Sequence, residues 1–338
     1  MIKFLSIILD KQRHSYKQIL KSTSIFGGVQ VVTIILGFIR QKVLAVLLGP
    51  TGVGLISVFQ SVVDLVKSVS SVGIDTAGIK DIASASDNRE VQYQKISVFK
   101  FWIIFTSLFG GLLCIVLCYP ISLLFFETGD YSLHIAALSI CVFFSIFSTG
   151  QAIILQATRN IALMAKATLL SNVVGLLVSL ILYYYWGLEG VVPAFITGSI
   201  IFLLFCTFFL RKLKIPKTPV SVSDSFWQGL SIVKLGSFIV IASIMETGAM
   251  FIIRAFLIQN AEGTGGLEVV GIIQPSWTIT AVYLSLILKS MGTDFFPRLC
   301  SLSDSASKMR RLVNEQTYIA LIVATPVIVF MLLFPDYV

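Results

Sequence analysis

Residues 38–56 read FIRQKVLAVLLGPTGVGLI, and this stretch decides the fold class of the chain. Two cations, Arg40 and Lys42, stand inside an apolar run that begins near Ile25, and the turn GPTG at 49–52 leads directly into a second apolar run. This pattern is typical of two antiparallel helices joined by a tight turn. A charge in the middle of an apolar helix costs free energy unless it faces a protein interior or a wet cavity.

The chain as a whole is too apolar for a water-soluble protein. Of its 338 residues, 56% are hydrophobic and only 12% are charged, whereas a soluble globular chain has about 25% charged residues. Long apolar stretches recur from end to end, so we predict an all-α, polytopic membrane protein with no separate soluble domain. The nine predicted spans are residues 24–48, 54–82, 97–125, 131–156, 163–186, 189–211, 231–258, 267–296 and 312–334.

The basic residues predict the orientation of these spans. Five connections on one side, with the adjoining helix ends, hold twenty of the twenty-five Lys and Arg residues, and the opposite connections hold none. Because cytoplasmic loops carry the excess of Lys and Arg, we expect the N-terminus in the cytoplasm. Residues 1–23 have too short an apolar run for a signal peptide, and we interpret them as a cytoplasmic amphipathic lead-in.

An internal repeat extends the architecture beyond nine spans. Arg40 precedes one turn and Arg254 precedes another, and SVGIDTAGIKDIA at 71–83 corresponds to KSMGTDFFPRLCS at 289–301. Helices one and two thus match helices seven and eight with the same orientation, as in a parallel repeat of six helices. We expect a six-helix lobe at 24–220 and the first three helices of a second lobe at 221–338. The chain would then be a fragment or a truncated product of a twelve-span protein.

These residues resemble a known family. LLGPTGVGLISVFQSV with GIDTAGIKDIA is similar to the first helix pair of the bacterial O-antigen flippases (Wzx, the polysaccharide translocases), and FIIRAFLIQ with VGIIQPSW and FFPRLCSL is similar to their seventh and eighth helices. The resemblance implies membership of the multidrug/oligosaccharidyl-lipid/polysaccharide (MOP) exporter superfamily, with two six-helix lobes around a central cavity.

The same resemblance implies a function and its partners. The substrate would be a glycan on undecaprenyl pyrophosphate, an O-antigen or similar polysaccharide unit, turned from the inner to the outer leaflet of the bacterial cytoplasmic membrane by alternating access. A polysaccharide polymerase and chain-length proteins are further implied partners. We expect no nucleic-acid partner and no catalytic activity.

Once the residues at the helix ends are grouped with the connections, nine charged residues remain inside the predicted spans, and all of them except Lys42 form the candidate site. We expect Arg40, Lys67, Arg254 and Lys289 to bind the pyrophosphate and glycan, because guanidinium and ammonium groups both pair with phosphate oxygens. Other roles remain open for some of the charged residues. Asp64 and Lys67, at i and i+3, are placed to neutralise each other. Asp75 and Asp294 are placed to cap helix ends, and the side chain of Lys42 can extend toward the membrane interface.

Energy for transport has to come from a source other than a nucleotide bound to this chain. GPTGVG lacks the GK[ST] ending of a P-loop, so we expect an H⁺ or Na⁺ gradient, or downhill use of the glycan, with no bound cofactor. The candidate ion-coupling carboxylates are Asp64, Asp75, Glu246 and Asp294. The two histidines and five cysteines show no metal-ligand spacing, and we expect no metal site.

Other functions remain to be compared with the flippase. Within the superfamily they are a multidrug or metabolite exporter and a lipid II flippase. A membrane glycosyltransferase or polymerase would need acidic catalytic residues on substantial loops, and the predicted outer loops are short. A non-transporting scaffold in cell-wall assembly would not require charges buried in both lobes.

Overall fold

The structure, a computed structural model, describes residues 2–71, 73–85, 88–216, 222–261, 265–278, 280–281 and 306–333. It divides into two compact units, residues 1–271 and residues 272–338. Within the described residues it contains helices and turns without strands, as the all-α prediction requires.

Nine α-helices follow one another along the described residues. They are α1 (Ile2–Ser71), α2 (Ile74–Ser84), α3 (Arg89–Phe126), α4 (Ser132–Ala157), α5 (Ile161–Trp186), α6 (Val191–Arg211), α7 (Val222–Gln259), α8 (266–278) and α9 (Ala306–Leu333). A 3₁₀ turn, Gly187–Gly190, joins α5 to α6.

Two glycines interrupt the helices at positions where the apolar sequence alone would predict a continuous helix. Gly49 has φ 67° and ψ −176°, which divides α1 into a first segment (2–48) and a second segment (50–71). Only glycine adopts such a conformation at no steric cost, and the helix breaks within the predicted turn GPTG. A second break at Gly73, with φ 68°, separates α1 from α2. The predicted span 54–82 is therefore two helices rather than one.

Five stretches of the described residues are long and apolar enough to cross a membrane. They are Val31–Ser71, Arg89–Phe126, Ser132–Ala157, Ile161–Arg211 and Val240–Gln259. The first contains the break at Gly49 and the fourth contains both α5 and α6. The chain is thus a multi-pass membrane protein. The amphipathic lead-in that we predicted at 1–23 is helical from Ile2 and continuous with the first segment of α1.

In helix α3 the sequence determines both where the helix begins and which side of it is exposed. The Asn88 side chain accepts hydrogen bonds from the backbone N–H groups of Glu90 and Val91, and so caps the start of α3. On one face, Leu108, Leu112 and Val116 are about 60% exposed, at 59%, 61% and 66%. Such a stripe, repeating every four residues, is suited to contact with lipid.

The interior of residues 1–271 consists mainly of two apolar clusters. The larger joins the second segment of α1 to α3, α4, α6 and α7 around Phe59, Val62 and Phe125. The other joins α2, α3 and α4 around Ile82 and Phe99. These clusters hold the helices that line the cavities described below.

The described part of residues 272–338 consists of the end of α8 and all of α9. An ion pair between Arg311 Nε and Glu315 Oε1, at 2.8 Å, lies on the exposed surface of α9. An exposed pair of this kind contributes little to stability, about 0.3–0.5 kcal/mol.

Candidate functional site

A cavity of about 440 Å³ lies between α1, α4, α5 and α6, and we call it the polar cavity. Arg40, on the first segment of α1, is one of its lining residues, and Gln60, on the second segment, is another. Asn172 of α5 also lines it, and its Nδ2 donates to Thr33 Oγ1 at 3.2 Å. Arg40 is the one cation among the described residues that line this cavity, and no carboxylate lines it there.

Arg40 is poorly compensated in this position. Its Nη2 donates a long hydrogen bond of 3.5 Å to the Oη atom of Tyr183, whose side chain is buried. Its Nε atom is buried and has no hydrogen-bond partner among the described residues. A buried donor without a partner costs about 1–3 kcal/mol, so the arrangement favours an acceptor that binds in the cavity.

A second cavity, of about 280 Å³, lies between the second segment of α1, the start of α2 and α7. We call it the charged cavity, because four of the predicted site residues line it together. These residues are Asp64, Lys67, Asp75 and Glu246. They come from three helices, and the break at Gly73, itself a lining residue, brings Asp75 of α2 beside α1.

Asp64 and Lys67 each have a neutral partner instead of a direct ion pair with each other. Asp64 Oδ1 accepts a hydrogen bond from Gln60 Nε2 at 2.8 Å, and Lys67 Nζ donates to Thr149 Oγ1 at 2.9 Å. Charge–charge interactions still link Lys67 to Asp64 and to Asp75. The Gln60–Asp64 hydrogen bond also connects a lining residue of the polar cavity to a lining residue of the charged cavity.

Arg254, the third predicted cation, lies half-buried on α7. It interacts electrostatically with Asp64, which makes Asp64 the centre of a group of charges with Lys67 on its own helix and Arg254 on another. Glu246, which lines the charged cavity, lies two turns before Arg254 on the same helix. Lys289 and Asp294 lie outside the described residues, as do Gly292 and Arg298 of the repeat.

Several polar residues that contact the predicted charges were not among the predicted site residues. Tyr183, Gln60 and Thr149 contact the predicted charges from positions up to 143 residues away in the chain. Their signal in the sequence is weak, because a single hydroxyl or amide in an apolar helix is common. The described residues contain no group of three or more His, Cys, Asp or Glu that could hold a metal ion.

Solved structures share this fold. An inward-facing multidrug resistance transporter of the MATE family and MOP superfamily matches with a TM-score of 0.65 and 16% identity, covering 89% of this chain and 70% of that one. A MOP superfamily transporter from Pyrococcus furiosus Vc1 (DSM3638), described as having a binding pocket of reverse polarity, matches with a TM-score of 0.59 and 19% identity, covering 92% and 69%. The chain is therefore an all-helical, multi-pass membrane protein with a MATE-like fold.

Sequence comparison then gives the family. Residues 43–338 match the family described as polysaccharide biosynthesis protein, and the chain belongs to that family. The lipid III flippase of Escherichia coli (strain K12) is 22% identical over 286 residues, which cover 84% of this chain and 67% of the relative. The lipid III flippase of Shigella flexneri matches to the same extent. The resemblance to polysaccharide translocases is confirmed at the level of the family, and the fold is that of the matched MOP superfamily transporters.

Proposed function

We propose that the protein is a flippase that moves an undecaprenyl-pyrophosphate-linked oligosaccharide, an O-antigen or similar surface polysaccharide unit, from the inner to the outer leaflet of the bacterial cytoplasmic membrane. Family membership and the similarity to two lipid III flippases support transport of a lipid-linked saccharide. The N-terminus is proposed to be cytoplasmic, from the distribution of basic residues in the sequence.

The observation that carries the proposal is the set of cations at interior cavities of a membrane protein. Lys67 lines the charged cavity, and Arg254 interacts with Asp64, which lines the same cavity. We assign these two residues, with Lys289, to the pyrophosphate, which needs several positive charges once it leaves water. Arg40, in the polar cavity, is assigned to a second contact with the same substrate.

The carboxylates of the charged cavity are assigned to ion coupling. Asp64, Asp75 and Glu246 surround one lysine there, so this cavity has more acidic than basic groups among its described lining residues. In the proposed alternating-access cycle, H⁺ or Na⁺ binding at these groups and at Asp294 neutralises them and lets the anionic head group approach Lys67 and Arg254.

The excess of carboxylates also supports a second candidate, export of an organic cation. Acidic groups in a wet cavity attract cations, and one solved structure with this fold is a multidrug resistance transporter. The two functions differ in the charge of the cargo, so removal of a cation from the protein separates them.

Arg254→Ala, made in the intact protein, is the substitution that tests the proposal. In a strain that lacks its own flippase, surface delivery of the glycan per molecule of protein should fall at least about tenfold, since a charge-assisted hydrogen bond worth about 1.5–3 kcal/mol is lost. Arg254→Lys should restore part of the activity, because the charge remains and the bidentate fork does not.

Lys42→Ala is the matched control for this experiment. Lys42 is an exposed cation near Arg40 on α1 and lines neither cavity, so its removal should leave delivery unchanged. If Arg254→Ala lowers the amount of protein in the membrane but leaves delivery per molecule unchanged, Arg254 is a structural partner of Asp64 and the assignment to the pyrophosphate is wrong.

A further inference from the structure

The polar cavity has a lining that the pyrophosphate does not explain. Pyrophosphate presents only hydrogen-bond acceptors at high negative charge, and the cavity offers it one guanidinium. Most of the remaining polar lining is hydroxyl groups of α4, α5 and α6, namely Ser145, Ser148, Thr168, Ser171, Ser179 and Ser199.

Most of these hydroxyls already donate their proton within their own helix. Ser148 donates to the carbonyl of Ser145 at 3.0 Å, and Ser171 donates to that of Thr168 at 2.9 Å. Ser179 and Ser199 do the same at 2.8 Å, to Leu176 and Ile196. A hydroxyl that donates in this way keeps its lone pairs, so it presents an acceptor to a ligand.

The strong donor of the cavity is Arg40. Its buried Nε lacks a partner, and its contact with Tyr183 is long. The lining therefore combines many acceptors with one fixed cation, and a complementary ligand has many hydroxyl donors and one anionic group. The volume of about 440 Å³ falls within the range of about 300–1,000 Å³ that small-molecule sites occupy.

We propose that the polar cavity binds a single acidic sugar ring, of the uronic-acid type, as part of a glycosidically linked glycan. Arg40 pairs with the carboxylate of the ring, and the serine and threonine oxygens of α4, α5 and α6 accept from its hydroxyls. Asn172, beside them, completes the polar wall. This inference rests on the proposed function, since it names a part of the lipid-linked substrate that the cavity recognises.

The test measures binding of small probes to the intact protein in detergent by calorimetry. Methyl β-D-glucuronide carries both the ring hydroxyls and the carboxylate, methyl β-D-glucoside lacks the carboxylate, and acetate lacks the ring. The glucuronide should bind about 10- to 150-fold more tightly than the glucoside, which is the range expected for one charge-assisted interaction. It should also bind more tightly than acetate, which makes none of the hydrogen bonds of the ring hydroxyls. Free D-glucuronate is the fourth probe. Its affinity, compared with that of the methyl glucuronide, shows whether the cavity binds a glycosidically linked ring or only the free acid.

Two substitutions assign the binding to this cavity. Arg40→Ala should reduce glucuronide affinity to that of the glucoside, and Lys42→Ala, which removes an exposed cation on the same helix, should not change it. Asn172→Asp keeps the size of the side chain and adds a negative charge, so it should weaken the glucuronide about tenfold or more while the glucoside is unaffected. This second variant keeps the test decisive if Arg40→Ala does not fold.

Several results would overturn the inference. If acetate bound as tightly as the glucuronide, the cavity would be a site for small anions. If the glucoside bound as tightly as the glucuronide, the carboxylate of the ring would contribute nothing to binding. Binding of free glucuronate without the linked ring would exclude a glycan residue as the occupant. Loss of glycan transport with glucuronide binding intact would instead contradict the proposed function and leave the chemistry of the cavity standing.

Discussion

At the scale of single residues, the charges inside the membrane spans carry the functional argument. Arg40 and Lys67 lie in different cavities, and Gln60 connects them through its hydrogen bond to Asp64. Lys67 donates a hydrogen bond to Thr149 and interacts electrostatically with Asp64 and Asp75. The positive charge of Lys67, rather than its hydrogen bond, should therefore be what the cavity requires.

Lys67→Met and Thr149→Val separate these two contributions. Lys67→Met removes the one cation among the described lining residues of the charged cavity and should lower glycan delivery per molecule about tenfold or more. Thr149→Val removes only a hydrogen-bond partner and should cost about 1 kcal/mol of stability with little loss of delivery. Equal losses of delivery in both variants would show that the hydrogen bond positions an essential group and that charge is secondary.

At the scale of helices, a close contact between backbones joins the second segment of α1 to the start of α8. A Cβ atom on Gly54 would lie 1.8 Å from the carbonyl oxygen of Leu267, and one on Gly271 would lie 1.8 Å from that of Pro50. Gly54 belongs to VGLI at 53–56 and Gly271 to VGII at 270–273, so similar segments of the sequence meet here. The neighbours are backbone atoms, and they cannot move aside without separating the second segment of α1 from α8.

Gly54→Ala should therefore destabilise the protein by roughly 1–3 kcal/mol, the usual cost of overpacking. The measurement is the midpoint of thermal unfolding in detergent. Gly28→Ala is the matched control, because Gly28 is helical and has no atom within 4 Å of an added Cβ, and alanine favours a helix by up to about 1 kcal/mol over glycine. An unchanged midpoint for Gly54→Ala would mean that the two helices do not pack this closely.

The sequence predicts helices better than it predicts the contacts between them. Apolar runs and the Gly-Pro turn at 49–50 locate most helices, because length and backbone freedom are local properties. The break at Gly73 was missed, since apolar residues continue on both sides of it. Arg40 and Lys67 were predicted as site residues, yet they line different cavities, and their partners Tyr183 and Thr149 lie far away in the chain, where only packing brings them into contact.

At the scale of the whole molecule, the fold and the family agree while the cargo is a proposal. Residues 43–338 belong to the polysaccharide biosynthesis protein family, and the fold matches a MATE transporter with a TM-score of 0.65. A fold alone does not define a function, so in the proposed function the charges that line the cavities specify the cargo. The proposed lobe boundaries, 24–220 and 221–338, stay a prediction from the repeat.

Reconstitution of the intact protein into liposomes tests the central claim most directly. The vesicles would contain a fluorescent undecaprenyl-pyrophosphate oligosaccharide, and the measurement is the fraction of glycan that becomes accessible to an impermeant glycosidase on the opposite side. The protein should raise this fraction well above that of empty liposomes, and Arg254→Ala should return it close to the empty level. The account would be contradicted if the accessible fraction of glycan stayed equal to that of empty liposomes while the same protein transported an organic cation such as ethidium in these vesicles.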